Sequence, residues 1–140
     1  MADAMPDDGA FDLSKTFMHL GHASSTVTPL PDFAWTQDYL EGYAARFDPV
    51  DGDQGRLVCL LAQDETWTNW ERHPAGEELV VLLSGRVDVI QDWPEGERVI
   101  ELRPGQALVN PAGVWHTATV HEPGVGLFVT PGRGTEGRPR

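Results

Sequence analysis

ERHPAGEELVVLLSG, residues 71–85, decides the fold, because a polar strand, a turn and an apolar strand follow one another directly. Successive side chains of a strand point to opposite faces, so residues 67–73 place four side chains on one face: Trp67, Asn69, Glu71 and His73. Pro74-Ala75-Gly76 turns the chain, and Glu78 begins the next strand on the same side. Two carboxylates and one imidazole therefore converge from adjacent strands.

A second segment, PAGVWH at residues 111–116, ends in a histidine at the start of another apolar strand. The two segments together bring His73, His116 and two glutamates within reach of one pocket, and such a constellation can do chemistry. Burying an unpaired carboxylate costs several kcal/mol, so inward-facing glutamates need a partner. The sequence therefore predicts that function resides where these two segments meet.

The rest of the chain from Gly55 onward consists of apolar runs separated by Gly, Pro and acidic residues. The runs are Leu57–Ala62, Leu79–Ile90, Arg98–Leu102, Ala107–Val109, Trp115–Val120 and Gly126–Thr130. Short runs with turn residues between them predict a single all-β domain. Residues 79–83 are apolar on both faces, so we expect this strand to be covered on both sides, within a sandwich or at a homodimer contact.

The spacing of these residues resembles the two motifs of the cupin superfamily. In the first motif, His73 is followed after four residues by Glu78 and after six more by Gly85. The second motif matches more closely, at Gly105, Pro111, Gly113 and His116. The resemblance covers about residues 55–131. It implies a cupin-like double-stranded β-helix, or jelly-roll barrel.

Three positions depart from the cupin pattern: Glu71 stands in place of the first histidine, Glu65 in place of a glycine and Val120 in place of an asparagine. A carboxylate can replace an imidazole as a ligand. The resemblance therefore still implies a divalent metal ion held by Glu71, His73, Glu78 and His116. Two carboxylates with two imidazoles suit Fe, Mn, Zn, Co or Ni better than Cu(I).

The resemblance also implies a metal-dependent enzyme that acts on a small-molecule substrate. Fe or Mn would suit dioxygenase chemistry, whereas Zn, Ni or Mn would suit isomerase or lyase chemistry. Glu71 is the catalytic candidate, because it can act as a general base as well as a ligand. The alternative is a non-catalytic cupin that binds a small ligand, such as a sugar or metabolite, without metal. Glu71 and His73 would then form an ion pair or act as acid and base groups.

Aromatic and amide side chains near the ligands are candidates for substrate binding. Trp67 and Asn69 share the face of Glu71, and Trp67 can line a pocket for an apolar or ring-shaped ligand or serve as a core residue. Alternation turns Trp70 and Trp115 away from that face, which favours both as core residues of a small barrel.

Composition argues against several classes of partner. The chain carries 10 Lys and Arg against 22 Asp and Glu, a formal charge of −12 at pH 7. This charge would repel nucleic acid and anionic membranes, so neither is an expected partner. No apolar run reaches the length of a membrane span, and the acidic N-terminus is unlike a basic signal peptide, so a cytoplasmic location is expected. The lone cysteine, Cys59, lies in an apolar run and is interpreted as a core residue.

The sequence divides into three regions. These are a flexible or partner-contacting segment at residues 1–24, the barrel domain at residues 25–131 and a disordered tail at residues 132–140. Residues 32–47 allow a short helical turn followed by a strand. His19 and His22 are close enough to chelate an ion but fall outside the motifs, and His121 is expected at the surface.

Overall fold

The computed structural model of the protein describes residues 9–140. In chain order the elements are β1 (Phe17–Leu20), β2 (Val27–Leu30), α1 (Gln37–Asp51), a one-turn 3-10 helix (Gly52–Gln54), β3 (Arg56–Gln63), β4 (Asn69–Arg72), β5 (Glu78–Leu82), β6 (Arg86–Trp93), β7 (Gly96–Leu102), β8 (Ala107–Asn110), β9 (Trp115–Glu122), β10 (Gly124–Thr130) and β11 (Glu136–Pro139). The predominance of strands confirms the predicted all-β class. Within these residues, no helix has the length and apolar character needed to cross a membrane.

The strands form two antiparallel sheets. The first sheet has the order β2-β1-β3-β10-β5-β8, and the second has the order β11-β4-β9-β6-β7. Strands distant in sequence are therefore neighbours, as where β10 lies between β3 and β5. Two such sheets packed face to face make the jelly-roll barrel that the cupin resemblance implies.

Apolar side chains from both sheets meet between them. In β5, Val80 and Leu82 are 4% and 1% exposed while Leu79 is 39% exposed, as the two-residue period of a strand requires. The core includes Phe17, Leu57, Cys59, Val80, Leu82, Val87, Val89, Leu102, Leu108, Ala118 and Phe128. Cys59 is 2% exposed, and burial raises the pKa of its thiol to about 12, which confirms its prediction as a core residue.

The apolar run at residues 79–90 forms two strands rather than one. β5 ends at Leu82 and β6 begins at Arg86, and the two strands belong to different sheets. Gly85 between them has a φ of +86°, a conformation that residues with a side chain rarely adopt. The prediction of an unbroken run is wrong here, because the glycine of the first motif marks the point where the chain crosses between sheets.

The region before β3 also differs from its prediction. Residues 32–47 lead into the long helix α1 and contain no strand. The side chain of Thr36 accepts a hydrogen bond from the backbone N–H of Tyr39 and caps the start of this helix. β1 pairs with β2 and β3, so part of the segment predicted to be flexible belongs to the first sheet. Residues 1–8 of that segment lie outside the described residues.

A buried polar cluster fastens β1 to α1. His19 Nε2 lies 2.7 Å from Asp51 Oδ2, His19 Nδ1 lies 2.6 Å from the Tyr43 hydroxyl, and the ring stacks on Phe47. The hydrogen bond from His19 holds the pKa of Asp51 below its usual value, although burial acts in the opposite direction. Both ring nitrogens of His19 are engaged by protein groups and His22 is exposed, so the two histidines do not form a chelating pair.

Residues 132–140 contain a strand, contrary to the predicted disordered tail. β11 pairs with β4, with Gly137 opposite Glu71. The guanidinium of Arg138 lies 4.4 Å from the ring centre of Trp115 and 5.3 Å from that of Trp70. Contacts of this kind between a cation and an aromatic ring are attractive, so the segment is held without apolar residues of its own. The Gly, Arg and Pro composition of residues 132–140 does not indicate a strand, because the aromatic residues that stabilise it lie on strands distant in sequence.

Candidate metal site

Three strands position the predicted ligands. Glu71 in β4 is paired with His116 in β9, while His73 and Glu78 flank the turn between β4 and β5. The backbone N–H of Gly113 donates to the carbonyl of His73 at 3.1 Å, which ties the second motif to the first. Gly113 has a φ of +73°, so this position in the second motif favours a glycine.

The four predicted ligands meet inside the barrel. One ligand atom each from Glu71, His73 and His116 lie within 4.8 Å of one another. Glu78 faces both imidazoles, with Oε2 3.2 Å from the Nε2 of His73 and Oε1 3.3 Å from the Nε2 of His116. Glu71 is half-buried and the other three are buried. The structure therefore brings Glu71, His73 and His116 together as one group, with Glu78 in contact with both imidazoles.

Hydrogen bonds on the far side of each imidazole determine which nitrogen carries the proton. The Thr135 hydroxyl donates its one proton to the carbonyl of Gly132 at 3.0 Å, so it accepts from the Nδ1–H of His73 at 2.9 Å. The Nδ1 of His116 lies 3.4 Å from the carbonyl of Val114, which can only accept. In the neutral form of either ring, Nε2 is therefore left with a lone pair.

Neither Nε2 atom has a hydrogen-bond partner among the described residues, although both are buried. In the neutral form of the rings, each lone pair faces an oxygen of Glu78, and two acceptors in contact repel each other unless a proton or a metal ion lies between them. Ligand atoms bonded at about 2.0–2.2 Å to one ion lie roughly 3 Å apart when the bonds are at right angles. The observed separations of 3.2 and 3.3 Å match that spacing, so these residues fit a divalent metal ion.

Glu78 is held in place by two further hydrogen bonds. Asn110 Nδ2 donates to Oε1 at 3.0 Å, and the Thr130 hydroxyl donates to Oε2 at 2.6 Å. Burial alone would raise the pKa of Glu78, but His73 and His116 in their protonated forms, together with the Thr130 hydroxyl, outweigh it and lower the pKa. The carboxyl is therefore ionised at neutral pH, which is the form that binds a metal.

The pKa values of two other ligands shift because they are removed from water. Burial raises the pKa of Glu71, and the nearby Glu78 adds to this, although His73 and Asn69 act in the opposite direction. Burial lowers the pKa of His116, with Glu78 opposing and His73 reinforcing the shift. His116 is therefore neutral at pH 7, as a metal ligand must be.

The sequence did not predict a role for the polar residues that lie behind Glu78. Gln91 donates from Nε2 to the Oδ1 of Asn110 at 2.9 Å, and Trp93 Nε1 donates to the Oε1 of Gln91 at 2.9 Å. This chain of bonds fixes the Asn110 amide with its NH2 group toward Glu78. Alternation could have identified Asn110, because it lies two residues after the inward-facing Leu108.

The two predicted substrate-binding residues lie beside the ligands. Asn69 is exposed, and its side chain hydrogen-bonds to Glu71. Trp67 is half-buried, with its ring centre 6.2 Å from that of His116, and its Nε1–H donates to Gln63 at 2.9 Å. Trp67 therefore packs against the core and also borders the site.

A small cavity of about 20 Å³ lies next to His116 inside the barrel. Its walls are mostly apolar and include Trp67, Leu82 and Phe128, with Asn110 among the few polar groups. This space holds about one water molecule, so a substrate larger than water needs either movement of the wall or a route from outside.

The residues that alternation turns away from the site lie on the outside of the second sheet. The guanidinium of Arg72 packs 4.7 Å from the ring centre of Trp115, and the ring of Trp70 contacts Arg138. His121 is exposed, with Nε2 2.8 Å from Asp88 Oδ2. The surface position predicted for His121 is confirmed, whereas Trp70 and Trp115 are not the core residues that alternation favoured: both are half-buried outside the core, under Arg72 and Arg138.

Comparison with known families supports the fold. The family model described as "Cupin domain" matches residues 57–130, more than half of the chain, so the protein belongs to the cupin family. No curated protein sequence matches the chain.

Solved structures with a similar fold include enzymes and proteins without a stated activity. Hydroquinone 1,2-dioxygenase from Sphingomonas sp. TTNP3, solved with 4-hydroxybenzoate, is 18% identical with a TM-score of 0.47, over 54% of this chain and 58% of that one. Hydroxypropylphosphonic acid epoxidase from S. wedmorenis, in complex with fosfomycin, is 14% identical with a TM-score of 0.45, over 54% and 43%. A cupin-2 domain protein from Shewanella frigidimarina is 19% identical with a TM-score of 0.44, over 61% and 71%. The similarity therefore spans little more than half of the dioxygenase and less than half of the epoxidase.

Proposed function

We propose that this protein is a metal-dependent cupin enzyme that acts on a small organic molecule. One divalent ion would be held by Glu71, His73, Glu78 and His116. The observation that supports this most strongly is the pair of buried Nε2 lone pairs facing the Glu78 carboxylate at 3.2 and 3.3 Å. No protein group within residues 9–140 satisfies these lone pairs, and a cation would do so.

The ligand types favour oxygen chemistry. Glu71, His73 and His116 supply two imidazoles and one carboxylate, the donor types of non-haem Fe(II) oxygenases, and Glu78 would add a second carboxylate. Bound Fe or Mn would activate O2 together with the substrate, whereas bound Zn, Ni or Mn would polarise a carbonyl group. Dioxygenase chemistry is our first proposal and isomerase or lyase chemistry our second.

Glu71 is the ligand best placed to exchange a proton with a substrate. It is half-buried beside the exposed Asn69, whereas the other three ligands are buried, so a molecule from solvent reaches Glu71 first. The hydrogen bond from Asn69 orients the carboxylate. We assign Glu71 the role of general base, with Asn69 as a polar contact for the substrate.

Trp67 lies on the inner side of the site and limits access from the barrel. Its ring centre is 6.2 Å from that of His116 and 6.3 Å from that of Phe128. Its one donor is already used by Gln63, so it offers a substrate only an apolar surface. Its role is to exclude water from the ligands and to pack against the apolar part of a bound molecule.

The size of the cavity favours a second candidate function. A space of about 20 Å³ beside His116 admits no organic substrate without rearrangement. The protein would then be a non-catalytic cupin whose metal, if bound, is structural. The two candidates differ in whether the ion keeps a position open to solvent, as a catalytic metal does.

Water relaxation on the Mn²⁺-loaded protein distinguishes these candidates. We expect stoichiometric Mn²⁺ on the full chain to accelerate water-proton relaxation well above the level of the metal-free protein plus a closed Mn²⁺ chelate, because an open position exchanges water. His116→Ala, which should not bind Mn²⁺, gives the reference for the free ion. Bound Mn²⁺ that has no effect on water relaxation would contradict the enzyme proposal and support a structural metal.

A homodimer remains part of the proposal. Leu79 and Val109 are register partners on the outer face of the first sheet and are 39% and 49% exposed, and Leu83 nearby in sequence is 48% exposed. A second copy packed on this face would remove that apolar surface from water. Analytical ultracentrifugation checks this, and Leu79→Asp should then yield monomers.

A further inference from the structure

We propose that Thr135 is a positioning residue, which accepts the Nδ1–H of His73 and so fixes the tautomer and orientation that the ligand set needs. Thr135 lies in residues 132–140, here named the strap, which fall outside the matched cupin domain at residues 57–130. The inference rests on the proposed metal site. It goes beyond that proposal by giving a role to a segment that contributes no ligand.

Thr135 and Glu78 compete for the ring proton of His73. The ring proton can stay on Nδ1 and bond to Thr135 at 2.9 Å, or it can move to Nε2 and bond to Glu78 at 3.2 Å. The Thr135 hydroxyl donates its hydrogen bond to the carbonyl of Gly132, so toward His73 it acts as an acceptor. Its hydroxyl therefore favours the first tautomer, in which Nε2 is free to bind a metal, over the second, in which Nε2–H occupies Glu78.

The strap holds Thr135 by contacts that do not involve the metal site. β11 pairs with β4 from Glu136 opposite Arg72 to Pro139 opposite Asn69. Arg138 adds its contacts with two indole rings and an ion pair with Asp92 at 2.9 Å. The position of the Thr135 hydroxyl beside His73 is therefore set by the fold before any metal binds.

His116 provides an internal comparison. Its Nδ1 faces the backbone carbonyl of Val114 at 3.4 Å, a longer contact than the 2.9 Å between His73 and Thr135. Within residues 9–140, the Nδ1 of His116 hydrogen-bonds to Val114 and not to a strap residue. Loss of the Thr135 hydroxyl should therefore change His73 and leave the tautomer of His116 as it is.

The test combines NMR of the metal-free full chain with Zn²⁺ titration. Thr135→Val removes the hydroxyl and keeps the shape, whereas Thr135→Ser restores the hydroxyl. Thr66→Val is the matched control, because it removes a threonine oxygen that accepts from the backbone N–H of Val120, away from the histidines. Long-range ¹H–¹⁵N spectra report which ring nitrogen carries the proton, and His73→Gln and His116→Gln identify the two signals.

We expect the wild type, Thr135→Ser and Thr66→Val to show His73 with its proton on Nδ1, and Thr135→Val to shift it to Nε2. Zn²⁺ affinity should fall about 10- to 100-fold in Thr135→Val, the range usual for partners of metal ligands, and recover in Thr135→Ser. An unchanged His73 tautomer in a folded Thr135→Val would overturn the inference. If Thr135→Val does not fold, a Thr135→Ser protein with the proton on Nε2 would overturn it equally. A shift in the tautomer without Zn²⁺ binding in any variant would support the positioning role and instead refute the proposed metal site.

Discussion

The Oε2 atom of Glu78 lies 3.2 Å from the Nε2 atom of His73, and each of the two groups is held on its other side by a threonine hydroxyl. Thr130 donates to that oxygen from one side, while the ring proton of His73 points to Thr135 on the other. A carboxylate that faces an imidazole lone pair in the barrel interior is unfavourable in the absence of a cation. This relationship is the basis of the proposed metal site.

Replacing Glu78 with glutamine should have opposite effects on stability and on metal binding. At pH 8, the new amide can donate to a histidine Nε2 atom, and Thr130 can rotate its hydroxyl to accept, so repulsion becomes a hydrogen bond. We expect the metal-free Glu78→Gln protein to be more stable than wild type by about 1 kcal/mol in urea unfolding. Its affinity for Zn²⁺ should fall more than about 100-fold, beyond the range for outer-shell partners. A metal-free Glu78→Gln protein that is less stable than wild type would show that the Glu78 carboxylate does not face unprotonated Nε2 atoms.

Among the side chains of the strap, Arg138 should contribute most to holding it on the second sheet. Its guanidinium contacts two indole rings, so Arg138→Ala should cost about 1–2 kcal/mol and increase proteolytic cleavage within residues 132–140. Arg98→Ala is the matched control, because it removes a guanidinium 4.7 Å from the ring of Trp93 but leaves the strap intact. Equal cleavage of the strap in wild type and Arg138→Ala would show that pairing between β11 and β4 suffices.

Acid should weaken the cluster that fastens β1 to α1. The pKa of Asp51 is lowered in the folded state, so its contribution is fully present above its ordinary value of 3.8 and is lost as pH falls through the lower folded value. Asp51→Asn should cost about 2 kcal/mol at pH 7, as for a lost hydrogen bond to a charged group, and progressively less below pH 4. Urea unfolding from pH 7 to pH 3 measures this difference.

Asp53→Asn serves as the control for that series, because Asp53 is exposed and pairs with Arg133 at 3.3 Å on the surface. Its effect should stay within about 1 kcal/mol at every pH. If Asp51→Asn lowers the free energy of unfolding equally at pH 7 and pH 3, the charge of the Asp51 carboxylate does not stabilise the cluster.

Two leucines on one strand should respond differently to truncation. Leu82 is 1% exposed and borders the cavity, so Leu82→Ala should cost about 3 kcal/mol and enlarge the space beside the site. Leu79 is 39% exposed within one chain, so Leu79→Ala should cost less than about 1 kcal/mol at protein concentrations where the proposed homodimer is dissociated. A larger, concentration-dependent cost at Leu79 would indicate that this face is buried in a homodimer.

Much of the barrel and of the candidate ligand set could be predicted because both depend on local pattern. The two-residue period places Glu71 and His73 on one face and Trp70 on the other, and the spacing from His73 to Glu78 spans a single turn. These relations involve neighbours in sequence, where strand geometry leaves little choice. The crossover at Gly85 was harder to predict, since the runs on both sides are apolar and only backbone conformation separates them.

The strap and the helix could not be predicted in the same way. Residues 132–140 have almost nothing apolar to bury, and they form a strand because Arg138 finds aromatic rings on β4 and β9. Helix α1 depends on the cap at Thr36 and on packing against His19, and the mixed spacing of its apolar residues gave little sign of it. In both cases the stabilising partner is distant in sequence, so composition and periodicity do not reveal it.

Metal content of the purified full chain tests the proposed site most directly. The protein should be prepared without a metal-affinity tag and measured by elemental analysis beside His73→Ala and His116→Ala. We expect about one equivalent of a single transition metal per chain in the wild type and less than about 0.1 in either variant, because each loses a buried ligand. Less than about 0.1 equivalent in the wild type, after incubation with Fe²⁺, Mn²⁺ or Zn²⁺ and removal of the excess, would contradict the metal site.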